Sequence, residues 1–159
     1  MAATYIKYDC FVADLVGKVH DLLGTTPGTD CDNVRVALSN TAGDIAVTKA
    51  TLATCTQIAN GNGYATGGLP LVAGVGLNSG AVAGSGPATF TLTGTNQVWT
   101  SASAGMAAFQ YVLLYNDSVA NDPLIGAWDY GTPLTLAVGE TFTVKFNNGA
   151  SAGTILTIV

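Results

Sequence analysis

His20 is the only histidine in the chain and Glu140 the only glutamate, so acid–base chemistry here would have to be built from one imidazole, one glutamate and the aspartates. A general base needs an orienting partner and a nucleophile within hydrogen-bond reach, and no spacing in the sequence supplies them. A protonated imidazole at His20 is instead favoured by the negative end of the helix that the surrounding pattern predicts. A paired-carboxylate hydrolase would need a second acid beside Glu140, and Asp129 is the only aspartate set among strand aromatics. Trp128-Asp129-Tyr130 could resemble a sugar-stacking platform, but it reads first as an ordinary aromatic strand end packed on the core or on a neighbour. Asp30-Cys31-Asp32-Asn33, and Asn116-Asp117 with Asn121-Asp122, are oxygen-rich turns without EF-hand spacing, and turns select Asp and Asn for backbone reasons alone. The single His and three scattered cysteines, Cys10, Cys31 and Cys55, lack zinc-ligand spacing. Gly74-Val75-Gly76 and Gly84-Ser85-Gly86 do not join a strand to a helix, as a phosphate-binding loop must. The expectation is a protein that is not an enzyme, with no catalytic centre, no metal and no cofactor.

The elements that would position these residues are mostly strands. One amphipathic helix is predicted over about residues 5–23. Tyr8, Phe11, Val12, Leu15, Val16, Val19, Leu22 and Leu23 recur there at steps of three and four, with Lys7, Asp14, Lys18 and Asp21 opposite and Gly24 as the stop. The period then changes to two. Val34, Val36 and Leu38 alternate with Arg35, Ala37 and Ser39 in a half-buried strand. Residues 50–58 fit a strand or a short helix equally. Asn60-Gly61-Asn62-Gly63 supplies the positive φ angles of tight turns. Residues 73–87 are rich in Gly, Ala and Ser, and read as an exposed loop or arm. Strands follow at Thr89–Thr93, around Trp99, over Phe109–Tyr115 with apolar residues on both parities, over Pro123–Gly131, at Leu134-Leu136-Val138, at Thr141–Phe146 and at Ile155–Val159. Seven or eight short strands with turn chemistry between them predict a mainly β chain, an antiparallel β-sandwich of jelly-roll type carrying one N-terminal α-helix. A length of 159 residues predicts a single domain over residues 1–159.

Composition narrows the class further. Charged residues make up 9% of the chain, against about 25% in an ordinary soluble domain, while 48% are hydrophobic and the mean hydropathy is +0.40. Either the chain enters a membrane or its surface is made to meet partners. No run of about 18 apolar residues is free of Gly, Asn, Thr or charge, which argues against a membrane helix. The start MAATYIKYDCF has no basic segment before an apolar run and carries Asp9, unlike a secretory peptide, so the expected compartment is the cytoplasm. There the odd number of cysteines reads as buried free thiols. A net charge of −5, with five Lys+Arg and no basic cluster, excludes the electrostatic footprint of nucleic-acid binding.

Several blocks taken in order carry a resemblance. They are Phe11-Val12-x-Asp14-Leu15 with Val19-His20-Asp21-Leu22, Val34-x-Val36-Ala37-Leu38-Ser39-Asn40-Thr41, and Ile58-Ala59-Asn60-Gly61-Asn62-Gly63-Tyr64-x-x-Gly67-Gly68. Tyr111-Val112-Leu113-Leu114-Tyr115-Asn116-Asp117, Pro123-Leu124-Ile125-Gly126-x-Trp128-Asp129-Tyr130-Gly131 and Gly139-Glu140-Thr141-Phe142-Thr143-Val144 follow. Together they cover most of the chain, and it resembles a family of small virion proteins of tailed bacteriophages. The resemblance implies a structural protein that decorates or cements the head shell, on the capsid exterior, after assembly in the bacterial host cytoplasm. The implied partner is the major capsid protein, and symmetric closure makes a dimer or trimer the expected unit. Trp99, Trp128 and Tyr130 are the aromatic candidates for the interface. The alternative is a tail or tail-fibre component, in which Trp128 and Tyr130 would bind glycan.

Overall fold

Strands need apolar side chains at alternate positions, and strands covered on both sides need them at nearly all positions. A computed structural model of the chain describes residues 3–22, 29–71, 90–146 and 152–158. In chain order its elements are β1 (Thr4–Lys7), α1 (Cys10–Val16), β2 (Val34–Ser39), β3 (Leu69–Pro70), β4 (Phe90–Thr95), β5 (Gln97–Thr100), β6 (Met106–Asn116), β7 (Leu124–Leu136), β8 (Thr141–Val144) and β9 (Ala152–Ile158). Short 3₁₀ turns lie at Ala42–Ile45 and Leu52–Thr54. The protein is mainly β, with antiparallel pairing throughout and one α-helix among the described residues.

A five-stranded sheet runs β1-β7-β6-β2-β3, and β4-β9 and β5-β8 form two separate pairs. The larger core lies between the sheet and these pairs. Val36 and Leu38 of β2, Phe109 and Leu114 of β6 and Ile125 of β7 meet Leu92 of β4, Trp99 of β5 and Ile155 of β9. On the other face of the sheet a smaller core gathers Tyr8, Ala37, Leu52, Tyr111, Leu113, Tyr115, Leu124 and Ala127. The layering is sandwich-like, although the described pairings do not produce a jelly-roll strand order.

Both faces being covered changes the expectation for β2. Ala37 and Ser39, expected on a solvated face, are fully buried, because the segment carrying the two 3₁₀ turns lies over them. Residues 50–58 form neither a full strand nor a regular α-helix. The Leu52–Thr54 turn sits between the isolated bridges Thr51↔Pro123 and Ser39↔Gln57. The runs expected over 123–131 and 134–138 join as the single strand β7, which passes through Gly131 at φ 91°. Against β6 it shifts register at Met106/Phe109, Phe109/Tyr111 and Leu114/Tyr115. Those shifts let Phe109 and Val112, three apart, face one core while Leu124 and Ala127 face the other. The loop expected over 73–87 and the Asn147-Asn148-Gly149 turn lie outside the described residues.

The helix predicted over 5–23 is much shorter. Thr4–Lys7 instead pairs with β7, Tyr5 opposite Trp128. Tyr8 is buried before the helix begins, its hydroxyl donating to the Asp44 carbonyl at 2.6 Å. At the other end Lys18 adopts φ 58°. The Val19 N–H then reaches Asp14 O at 2.8 Å and the Lys18 N–H reaches Leu15 O at 3.2 Å, which is a Schellman closure. The three- and four-residue spacing across 5–23 therefore has three local causes: a strand, one short helix burying Phe11, and an extended tail burying His20 and Leu22.

The loop containing Asn60-Gly61-Asn62-Gly63 is fastened at both ends. Gly61, Asn62 and Gly63 all have positive φ, and a Cβ on Gly63 would stand 2.0 Å from Thr100 O. At Gly67-Gly68, Arg35 Nε and Nη2 donate to the two carbonyls at 3.0 and 2.9 Å, and the Tyr115 hydroxyl donates to Gly67 O at 2.7 Å. Gln57 Oε1 accepts from both the Tyr64 hydroxyl and the Gly67 N–H.

Candidate binding cleft

At the mouth of the sandwich, where β7 and β6 face β8, a cleft of about 410 Å³ opens. The sheet contributes Gln110 and Val112 from β6 with Trp128 and Tyr130 from β7, and consecutive residues from Phe142 to Phe146 line the opposite side. Val112 pairs directly with Trp128 across the β6–β7 ladder, and Gln110 and Tyr130, two residues along their strands, line the cleft beside them. Trp128 is set between Tyr5 at 5.3 Å and Phe146 at 5.6 Å, both tilted to it. Tyr5 lies over Gly126, where any Cβ would stand 2.5 Å from its hydroxyl, so this glycine makes room for the ring that supports Trp128. Gln110 is held by donating from Nε2 to Asp129 Oδ1 at 2.9 Å, an oxygen that also accepts from the Gly131 N–H at 2.7 Å.

Of the three aromatic interface candidates, the fold brings Trp128 and Tyr130 to this cleft and removes Trp99. Trp99 is 2% exposed and stacked beneath Phe142 at 6.0 Å, so it offers no area to a partner. Its Nε1 is buried without a hydrogen-bond partner. Phe142 bridges inward, meeting Phe109 edge-on at 4.7 Å. Sequence reasoning did not single out Gln110 or Lys145 as site residues. Only the β6–β7 pairing and the placement of β8 bring them to the aromatics.

The residues that looked capable of chemistry make the following contacts. Asp129 anchors Gln110 as described. Glu140 Oε2 accepts from the Ala137 N–H at 2.7 Å, closing its own turn. His20 is buried against Phe11, and Asn116 Nδ2 approaches its Nδ1 at 3.1 Å. That amide is oriented by its other bonds, Nδ2 to Asp32 Oδ2 at 2.6 Å and Oδ1 from the Ser118 N–H at 2.9 Å. Nδ1 must therefore accept, which places the proton on Nε2. Nε2 has no hydrogen-bond partner, and the Asp14 carboxylate stands 4.0 Å away. Burial lowers the His20 pKa, while Asp14 and Asp32 pull it the other way.

All three cysteines are unpaired, and burial pushes each thiol up to about 11, so they are protonated at neutral pH. Asp117 of the oxygen-rich turn pairs with Arg35 at 3.6 Å. Among the described residues no cluster of His, Cys, Asp and Glu could hold a metal ion, and no helix is long and apolar enough to cross a membrane. Comparison with family models, with curated proteins and with solved structures found no match.

Proposed function

We propose that this chain is a structural protein of a tailed-bacteriophage particle, decorating or cementing the head shell by burying apolar surface across boundaries of the major capsid protein. The observation that carries the reading is a charge-poor chain that leaves several valines in water. Val16 is 80% exposed, Val138 60% and Val98 50%, while only 9% of residues are charged. Apolar side chains left in water gain about 25 cal/mol per Å² when a partner covers them, before the costs of association. The blocks that carry the phage resemblance also supply the frame of the fold. Gly67 and Gly68 of one block are tied to Tyr115 of another and to Arg35, and Tyr64 and Gly67 share the Gln57 side-chain oxygen.

The test is quantitative mass spectrometry and cryo-EM of purified particles from the phage that encodes the chain. A fixed ratio to the major capsid protein, with density on the shell exterior, is expected. Recovery only in tail fractions, or absence from particles, would overturn the reading.

A further inference from the structure

Phe142, Val144 and Phe146 pack toward the larger core, yet Thr143 and Lys145 between them also line the cleft, so the space runs along the edge of β8 and the two residues that follow it. Among the described residues β8 pairs with β5 alone. Alternate peptide N–H and C=O groups on its other side are therefore free of a ladder partner. The same space is walled by aromatic rings. Tyr130 has no ring partner among the described residues, and it stands beside Trp128 on the same sheet face. A volume of about 410 Å³ matches small-molecule sites, which run from about 300 to 1,000 Å³. Rings flanked by amide, hydroxyl and backbone groups suit a ligand with both a C–H face and many hydroxyls.

The charge at the site is selective as well. Lys145 lines the cleft and makes no ion pair among the described residues, where the pairs are His20–Asp14 and Arg35–Asp117. In a chain of net charge −5, a lone ammonium at the mouth of a cleft favours a single anionic group. A phosphate-bearing ligand would call for a cluster of cations or a backbone nest, and among the described residues no second cation lines the space.

We propose that this cleft binds a carboxylated sugar, a uronic or sialic acid unit of a glycan, with its C–H face on Tyr130 and Trp128 and its carboxylate on Lys145. The site does not depend on where in a particle the chain sits, so its test and the particle test fail separately. Glucuronic acid and N-acetylneuraminic acid serve as probes against the full chain, with glucose and benzoate as comparators, followed by ¹⁵N–¹H NMR titration. Binding of at least one acid sugar is expected, with shifts confined to the Trp128 indole and residues 142–146. Lys145→Met should weaken that binding about fivefold, as loss of a half-screened ion pair does, and Tyr130→Ala about tenfold through the lost stacking. Lys145 is exposed, so Lys145→Met should retain the wild-type spectrum elsewhere and report on binding rather than folding. The proposal is overturned if neither acid binds, if glucose binds equally well, if benzoate binds better than both, or if Lys145→Met leaves affinity unchanged.

Discussion

Gly68 sits at φ 62°, and a Cβ there would lie 1.9 Å from Val36 O and 2.8 Å from the Ala37 Cα. The obstacle is backbone of the central sheet, which cannot rotate aside. Gly68→Ala should therefore destabilise the fold by about 3 kcal/mol, adding left-handed strain to overpacking, as urea denaturation will measure. His20 makes a different kind of prediction. Its folded-state pKa lies below the ordinary histidine value because burial disfavours the charged ring. The unfolded chain takes up the proton first as pH falls, so the stability His20 permits is complete above the ordinary value of about 6.5 and is lost below it. For one proton the slope is at most about 1.4 kcal/mol per pH unit. Urea midpoints measured from about pH 7 to pH 5 should fall in the wild type and lose that slope in His20→Gln. Equal slopes would show that another group carries the effect.

Among the elements, α1 has the most local ending. Lys18 occupies the left-handed closing position that glycine fills without strain, while Gly17 immediately before it adopts φ −73°. Lys18→Gly should raise stability by roughly 0.5–1 kcal/mol, read as a shift in thermal midpoint; a loss would mean that Lys18 contributes more than its backbone conformation. The same helix shows where sequence legibility stopped. Strands such as β2, β6 and β8 were readable because alternation and turn residues are local signals, and Asn60–Gly63 was readable because the positive φ angles it adopts favour Asn and Gly. The 3.6-residue pattern over 5–23 was misleading because burial of Tyr8, Phe11, Leu22 and His20 comes from three differently shaped segments. Tryptophan type alone could not separate Trp99 from Trp128. Pairing with β8 buries the first beneath Phe142, whereas β1 and β7 bring the second to the cleft. Gln110 and Lys145 carried no local signal at all, since their meeting depends on contacts distant in sequence.

For the whole molecule, the two cores leave the described exterior with valines at several separate places. Val12 and Val16 project one helical turn apart from α1, 47% and 80% exposed. If apolar cover by a second copy stabilises the proposed dimer or trimer, Val16→Lys should shift sedimentation toward monomer at concentrations where the wild type associates. Its folding stability should change by no more than about 0.5 kcal/mol, as for an exposed substitution. A wild-type chain that sediments as monomer at every concentration would remove self-association from the account. The three register shifts between β6 and β7 bear on how strictly the pair is held in one alignment. A slip of β6 by a single residue would turn Val112 and Leu114 out of the larger core and Leu113 and Tyr115 out of the smaller one, because neighbouring positions on a strand point to opposite faces. With both faces covered, neither layer could receive the displaced side chains, so the centre of the sheet tolerates no alternative pairing.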